Sequence, residues 1–210
     1  RHFDHFKDMW GWPRLKLSLN LNSDLSVRQF IEAARLAEYT GYAGIWVGET
    51  LTFGHSFPFL AACGETTRYV RIGAGILSPQ VNRCYHIRKA FQTLVETYGD
   101  RFTVALAPGD MNATDSVGAA TVNPVKIVLD CAEELRRLRD KKKWNFPVYV
   151  GASGPRLIAE GSLGTDGVLL NYIHPEYVKW AMRKMKRKTY LASYGPAMLL
   201  PDSRNERYLM

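Results

Sequence analysis

Residues 146–171 read FPVYVGASGPRLIAEGSLGTDGVLLN and contain a strand, a helix and a second strand in succession. The run from Pro147 to Val150 is apolar, β-branched or aromatic and too short for a helix, so it predicts a buried strand. Pro155 suits the first position of a helix, and Gly161 and Gly164 mark the end of that helix before the apolar run 168–170. This stretch therefore predicts one β-α-β unit.

The turn that enters this helix, Gly151 to Pro155, is a candidate phosphate site. Backbone N–H groups at a helix N-terminus carry a partial positive charge, and small residues let an anion approach them. Ser153 adds a hydroxyl. The same small residues could serve only to pack the helix tightly on its strand, so the turn alone leaves both interpretations open.

Length and composition are those of an ordinary globular domain. The chain has 210 residues, of which 46% are hydrophobic, and this is enough for one domain with a sizeable core. It contains no apolar run of about 18 residues, so we expect no membrane span. The first residues lack the apolar segment of a signal peptide, and we expect a cytoplasmic protein. The net charge of +8 favours anionic ligands without defining the fold.

The three cysteines, Cys63, Cys84 and Cys131, stand far apart in the sequence and form no CxxC pair. Three thiols cannot all pair with one another. Their spacing predicts reduced thiols in a reducing compartment and gives no reason to expect metal ligation by them.

The remaining chain divides into a short leader and one domain. Residues 1–13 show no hydrophobic period and end at a proline, so we interpret them as a leader or peripheral segment and residues 14–210 as a single domain. The acidic and histidine residues of the leader do not have the spacing of a tight metal site. These residues are His2, Asp4, His5 and Asp8.

Strand and helix patterns alternate seven times along the domain. Such alternation requires parallel strands with right-handed crossovers and indicates a (β/α)8 TIM-type barrel rather than an open sheet. A full barrel usually takes about 250 residues, so we expect this one to be incomplete. Either segments are missing near residue 140 and after residue 210, or the protein is a reduced relative with an open barrel; the close match on both sides of Asp140 favours missing segments. The predicted strands are 15–21, 42–47, 69–77, 102–106, 147–150, 168–170 and 189–200.

Ligand-binding residues of such a barrel gather at the carboxyl ends of the strands. In this sequence most of those positions are small or polar. They are Asn20, Glu49-Thr50, Ser78-Pro79, Gly109-Asp110, Ser153-Gly154, Asn171 and Tyr194-Gly195.

Four motifs occur in order along the chain: AARLAEYTGYAGIWVGE, RIGAGILSPQVNRCYHI, ALAPGD and the VGASGPRLIAEGSLGTDGVLLN segment of the first β-α-β unit. Their order and spacing resemble the luciferase-like flavin or deazaflavin oxidoreductases, and in particular the F420-dependent methylenetetrahydromethanopterin reductases. The resemblance covers residues 15–201. It implies a barrel enzyme that binds coenzyme F420 or, alternatively, FMN.

The resemblance also implies the positions that bind this cofactor. Leu77 and Ser78 would lie against the deazaflavin or isoalloxazine ring, where the family carries a non-proline cis peptide. Gly109, Asp110 and Asn171 would line the polar edge and tail of the cofactor. The cofactor phosphate would be held by Gly151, Ala152, Ser153 and Gly154.

Glu49 is the candidate catalytic residue. Reductases that this chain resembles end their second strand with an Asp-His-like pair, and Glu49-Thr50 stands in its place here. A buried carboxylate can exchange protons because desolvation raises its pKa toward the working pH. The alternative is that Glu49 only caps a loop. His55 and His86 are further candidates for proton handling, although a single histidine is more often structural.

The resemblance implies hydride transfer between F420 and a pterin-type substrate such as methylenetetrahydromethanopterin, with Glu49 as proton donor or polarising group. The alternatives are an FMN-dependent monooxygenase on the same fold and a non-catalytic flavin-binding protein. We expect a small-molecule substrate and a homo-oligomer. The basic runs 141–143 and 183–188 favour a solvated surface over nucleic-acid binding, because they fall on a loop and on the outer face of a helix.

Overall fold

Seven strands form one sheet in sequence order, and each strand is parallel to its neighbours. The computed structural model describes residues 16–119 and 121–197, so the proposed leader and its histidines lie outside the described residues. Among the described residues, no strand pairs with the outer edges of the first and last strands. The strands are β1 (Ser18–Asn22), β2 (Gly44–Gly48), β3 (Arg71–Leu77), β4 (Phe102–Leu106), β5 (Val148–Ala152), β6 (Gly167–Leu170) and β7 (Tyr190–Ser193).

Helices occupy every connection between these strands, as the sequence predicts. The first begins at a capping box between Ser26 and Gln29 and ends at Gly41, whose φ of 84° is the left-handed conformation that glycine adopts readily. None of the described helices is both long and apolar enough to cross a membrane. The helices are α1 (Val27–Thr40), α2 (Ser56–Thr66), α3 (Cys84–Tyr98), α4 (Met111–Ser116), α5 (Pro124–Lys142), α6 (Pro155–Gly164) and α7 (Pro175–Lys184).

Most strand bounds differ from the sequence prediction by one to three residues, and two differences are larger. Helix α4 was not predicted because six residues make fewer than two turns and give no hydrophobic period; Asp110 starts it by accepting a hydrogen bond from the Ala113 N–H at 2.8 Å. Near the end of the described residues, α7 stops at Lys184, so only the start of the basic run 183–188 is helical, and β7 takes up four residues of the predicted strand 189–200. Neither difference changes the alternation of strand and helix.

The main hydrophobic core lies between the outer face of the sheet and the helices. On β2, Ile45 and Val47 point into this layer, and both are fully buried. Phe91 of α3 packs between Phe57 and Phe146, with ring centroids 6.4 and 6.0 Å away. Burial of an aromatic side chain of this kind contributes about 1.5–3 kcal/mol to stability. This layer therefore holds the helices against the sheet.

The sheet curls, and its inner face carries a second, smaller core. The Tyr194 hydroxyl, just after β7, donates a hydrogen bond to the Gly75 carbonyl oxygen of β3 at 2.8 Å. In a flat sheet these strands, four positions apart, would be about 19 Å from each other, farther than one tyrosine side chain reaches. The rings of Trp46 and Tyr149 also stack across this face, with centroids 6.3 Å apart. The (β/α)-barrel prediction is therefore confirmed, with the described residues supplying seven strands of a curled, incomplete barrel.

The amino ends of the strands are held by internal hydrogen bonds. The Glu38 carboxylate accepts bonds from the N–H groups of Arg68, Tyr69 and Val70. Burial acts to raise the pKa of Glu38, but these donors and the charge of Arg101 together hold the pKa below its usual value. The ionised carboxylate of Glu38 therefore ties α1 to the start of β3. The contact gives the amino end of the sheet a structural role.

The cysteine prediction is wrong for two of the three residues. The structure joins Cys84 and Cys131 in a disulfide, and only Cys63 is a free, buried thiol among the described cysteines. The start of α3 lies against the middle of α5, which brings the two Cα atoms to 5.3 Å, a normal separation for a disulfide. A spacing of 47 residues in sequence contains no sign of this contact.

We expect native protein purified without reductant to show no thiol that reacts rapidly with an alkylating reagent. Cys84 and Cys131 are blocked by their bond, and Cys63 is fully buried, where desolvation raises its thiol pKa to about 12. Mass spectrometry after alkylation should find both paired cysteines unmodified without reductant and modified after mild reduction, with Cys63 modified only after unfolding. Modification of Cys84 without reductant would contradict the pairing.

Candidate active site

The predicted catalytic residue Glu49 follows β2 and lies in a closely bonded cluster. Its side chain is 11% exposed. One carboxylate oxygen, Oε2, accepts hydrogen bonds from the N–H of Ser56 at 2.8 Å and from its hydroxyl at 2.6 Å. The other oxygen accepts a bond from the Asn82 side-chain amide. The carboxylate therefore caps the N-terminus of α2 and at the same time binds the loop that follows β3.

His55 completes this cluster. Its Nε2 lies 3.0 Å from Asn82 Oδ1, and its Nδ1 lies 3.3 Å from Glu49 Oε2. Because the amide nitrogen of Asn82 donates to Glu49, the amide oxygen faces His55, and Nε2 is the atom that carries a hydrogen. The His55 side chain is 49% exposed. The cluster thus joins a nearly buried carboxylate to a ring that solvent can reach.

Asn82 connects Glu49 with the predicted ring-binding residue Ser78. The Asn82 N–H donates to the Ser78 carbonyl oxygen at 2.8 Å. The Ser78 hydroxyl in turn donates to the carbonyl oxygen of Pro108 at 2.7 Å. Gly109, which follows Pro108, has a φ of 84°, and a Cβ at this position would lie 3.2 Å from the Ser78 side chain. Glu49, Ser78 and Gly109 are therefore brought together at one edge of the sheet.

The Gln80 side chain forms further hydrogen bonds at the same edge of the sheet. Its side-chain amide donates to the Pro108 carbonyl oxygen at 2.6 Å, and its oxygen accepts bonds from the N–H and hydroxyl of Thr121. The loop after β3 is thereby fastened to the long connection between β4 and α5. Asp110, whose carboxylate caps α4, lies in this connection and is exposed.

A bulge in β3 turns two consecutive residues toward the barrel interior. Gly75 pairs with Ala105 and Leu77 pairs with Leu106, so Ile76 is the extra residue. Ile76 packs into the inner core, and a Cβ at Gly151 would lie 2.6 Å from its side chain. Gly151 is thus a glycine because β5 passes close to this bulge. This contact joins β5, the strand that leads to the candidate phosphate turn, to the part of β3 expected to lie against the cofactor ring.

The non-proline cis peptide joins Gly75 to Ile76, two residues before the Leu77-Ser78 segment for which the resemblance implied it. The side chain of Leu77 is fully buried and packs among the residues of the outer core, facing the helices. Only the backbone of Leu77 is therefore available to the interior, and Ile76 supplies the inward-facing side chain. Ile76 faces inward next to Gly75 because the bulge shifts the alternation of inward and outward residues.

The predicted phosphate turn lies at the entry to α6. Gly154 is the N-cap residue, no side chain caps it, and a Cβ there would meet no atom within 4 Å. Ser153 and Gly154 are exposed, whereas Ala152 is buried in the outer core. The hydroxyl of Tyr177 donates to the Ser153 carbonyl oxygen at 3.0 Å, which fixes the turn from the side of α7.

The structure thus divides the predicted site residues into two groups on one edge of the sheet. Glu49, Ser78 and Gly109 are joined through hydrogen bonds or close contacts, and Gly151 lies against Ile76, two residues before Ser78. The second group is the exposed turn at 153–154 with the exposed Asn171 after β6. No hydrogen bond between the described residues connects the two groups directly. His86, the other candidate histidine, is exposed and lies on α3 beside Tyr85.

No role was assigned from the sequence to three residues whose side chains form hydrogen bonds in or beside the site. Asn82 and Gln80 stand inside the quoted RIGAGILSPQVNRCYHI motif, but their partners come from β2 and β4 and could not be known from local pattern. Tyr194 had been placed at a strand end without a role. Its bond spans 119 residues of sequence, so only the curl of the sheet reveals it.

A surface cavity of about 370 Å³ lies at the opposite end of the sheet and is not part of this site. Arg101 lines it, but the donors of this guanidinium are used by the backbone oxygens of Gly64, Thr67 and Val70 and by the Thr67 hydroxyl. An arginine whose donors are already bound has little left for an anion. Residues at the amino ends of barrel strands are generally structural, which agrees with this arrangement.

Fold and edge together define a (β/α)-barrel protein whose ligand-binding residues follow the carboxyl ends of its strands. The sequence profile of the luciferase-like monooxygenase family matches residues 15–198. The chain therefore belongs to this family, whose members are oxidoreductases and monooxygenases.

Two similar proteins are methylenetetrahydromethanopterin reductases. The chain is 24% identical over 186 residues to the 5,10-methylenetetrahydromethanopterin reductase of Archaeoglobus fulgidus, covering 77% of this chain and 54% of the relative. It is 22% identical to the same enzyme of Methanolobus tindarius over 182 residues, covering 78% and 56% of the two chains. It thus spans about half the length of these relatives.

Solved structures show the same fold. The coenzyme F420-dependent tetrahydromethanopterin reductase of Methanopyrus kandleri superposes with a TM-score of 0.78 at 17% identity, covering 87% of this chain and 66% of that one. The monooxygenase RslO1 of Streptomyces bottropensis superposes with a TM-score of 0.79 at 17% identity, covering 93% and 75%. Because the fold similarity is equal for a reductase and a monooxygenase, it does not distinguish the two activities.

Proposed function

We propose that this chain forms the cofactor-binding part of an oxidoreductase that transfers a hydride between coenzyme F420 and a pterin-type substrate such as methylenetetrahydromethanopterin. The observation that carries the proposal is the uncapped, exposed N-terminus of α6, which directly follows a buried strand in the family's barrel. Similarity along three quarters of the chain to two methylenetetrahydromethanopterin reductases supports the choice of cofactor and substrate.

The residues at the α6 turn fit a phosphate group. The N–H groups of the first helical turn point out of the helix N-terminus and carry partial positive charge. Open space around Gly154 lets an anion approach the backbone, and the Ser153 hydroxyl is exposed beside it. Ser153 and Gly154 would hold the phosphate, with Gly151 and Ala152 positioning the turn from within β5.

The inner edge fits a flat ring. Ile76 presents an apolar side chain there, and Gly151 keeps the backbone of β5 close to it. Gly109 keeps the chain that follows β4 close to Ser78. Ser78, Asp110 and Asn171 would supply polar contacts at the rim. When bound, a deazaflavin supplies the carbon that gives or accepts the hydride, and the protein orients that ring toward the substrate.

Glu49 would polarise the substrate or handle a proton beside this ring. In the structure each oxygen of the carboxylate already accepts at least one hydrogen bond, from Ser56 or from Asn82, and these bonds fix its orientation. His55 lies between the carboxylate and solvent and offers a route for proton exchange. We therefore assign the polarising role to Glu49 and proton exchange with solvent to His55.

An FMN-dependent monooxygenase is the second candidate function, favoured by the match to the luciferase-like monooxygenase family. The same phosphate turn would serve FMN. A non-catalytic flavin-binding protein is the third candidate and would bind the cofactor without substrate-dependent reduction. For the two enzymatic candidates we propose a small-molecule substrate. For all three we propose a cytoplasmic location, no nucleic-acid or membrane partner, and homo-oligomers built from the single domain.

The phosphate assignment predicts that Ser153→Asp abolishes cofactor binding. A carboxylate at this exposed position repels the phosphate, and we expect affinity for F420 or FMN to fall at least 100-fold, equivalent to about 2.7 kcal/mol. Fluorescence titration of the cofactor measures this loss. Thr97→Asp, an exposed change at the far end of α3, adds the same charge and should leave affinity within twofold. Equal affinity of the Ser153→Asp variant and the wild type would refute the assignment.

The catalytic assignment predicts that Glu49→Gln lowers kcat by about 100-fold or more, in the range of a lost group that stabilises charge in the transition state, with cofactor affinity changed less than threefold. Steady-state reduction of methylenetetrahydromethanopterin, followed by the absorbance of F420, measures kcat. Asp115→Asn removes an exposed carboxylate of α4 on the same edge and serves as the matched control. Unaltered kcat in Glu49→Gln would remove Glu49 from the mechanism.

A further inference from the structure

Tyr194 crosses the open face of the barrel. It follows β7, and its ring packs into the inner core beside Tyr149 and Leu169. Its hydroxyl donates a 2.8 Å hydrogen bond to the carbonyl oxygen of Gly75. Burial raises the pKa of Tyr194 well above its ordinary value, so the hydroxyl keeps its proton and remains a donor. The bond joins the last described strand to the third.

The acceptor of this bond lies at the β3 bulge. Gly75 is the last paired residue before the extra residue Ile76, and a Cβ at Gly75 would lie 2.5 Å from the Tyr194 hydroxyl oxygen and 2.8 Å from the ring of Trp46. The bulge is therefore covered on its inner side by two aromatic side chains. An extra residue in a strand is left out of the ladder, so side-chain contacts have to fix its position.

We propose that Tyr194 is a positioning residue for the cofactor ring, acting through Gly75. By holding the Gly75 carbonyl, it fixes the direction of Ile76 and of the backbone that leads to Ser78, which together form the surface proposed above for the ring. This inference rests on the proposed function. Its own content is that a residue after β7 determines the geometry of a surface on β3.

Tyr190 provides a matched control on the same strand. Its ring also faces the interior and stacks on Tyr149, with centroids 5.4 Å apart and an interplanar angle of 11°. Its hydroxyl makes no hydrogen bond to the residues that the structure describes. Removing the hydroxyl from either tyrosine leaves the ring in place, so the comparison isolates the bond to Gly75 from general aromatic packing.

The experiment compares the wild type, Tyr194→Phe and Tyr190→Phe in three measurements. These are fluorescence titrations with F420 and FMN, the emission spectrum of the bound cofactor, and hydrogen-deuterium exchange of the peptide that contains residues 75–78. In Tyr194→Phe we expect about tenfold weaker binding of whichever cofactor the wild type prefers, a shifted emission spectrum, and at least tenfold faster exchange at the bulge. In Tyr190→Phe we expect all three to stay within twofold or unshifted.

The outcomes separate this inference from the proposed function. Wild-type protein that binds a cofactor, together with unchanged affinity, spectrum and exchange in Tyr194→Phe, overturns the positioning role alone. Equal effects of both substitutions overturn it as well, because they would show general packing. Wild-type protein that binds neither cofactor defeats the proposed function, and the positioning role is then lost with it.

Discussion

The inward curl of the parallel sheet is the constraint on which the rest of the structure depends. Hydrogen bonding between parallel strands places all their carboxyl ends on one edge, and the curl then brings loops from distant strands within reach of one another. Two contacts across the inner face display this curl, the bond from Tyr194 to Gly75 and the stack of Trp46 on Tyr149. Glycines in β3 make room for these aromatic rings. Without the curl, the cluster around Glu49 and the turn at Ser153 would belong to separate parts of an open sheet.

The two ends of the sheet use hydrogen bonds differently. At the amino end, Glu38 and Arg101 are bound to backbone groups of neighbouring segments, so their charges are compensated within the chain. At the carboxyl end, Glu49 is also bound internally, but it is joined to a half-exposed His55, and the α6 N-terminus has no side-chain cap. The N–H groups at the α6 N-terminus are free of side-chain partners among the residues that the structure describes, and the His55 imidazole is accessible to solvent, so both can interact with a ligand. This contrast is the physical reason for placing function at the carboxyl edge.

Local patterns in the sequence were sufficient to predict the order of the strands and most of the helices. Strand β4 was predicted with its observed bounds, Phe102–Leu106. Period and turn chemistry depend on neighbours within a few residues, so they can be seen in one sequence. The Cys84–Cys131 pair, the inward direction of Ile76 and the Asn82 link between Glu49 and Ser78 depend on contacts 30 or more residues apart. They could not be predicted without the fold. The positions of Leu77 and Ala152 show the same limit, because a site residue named from a motif can point into the core.

Cofactor selectivity is the most direct test of the central claim that the carboxyl edge binds a deazaflavin. The measurement is the dissociation constant of purified protein for F420 and, separately, for FMN, followed by cofactor fluorescence at fixed ionic strength. The account predicts saturable binding of F420 that is at least tenfold tighter than binding of FMN. Tighter binding of FMN, or binding of neither cofactor, would contradict it.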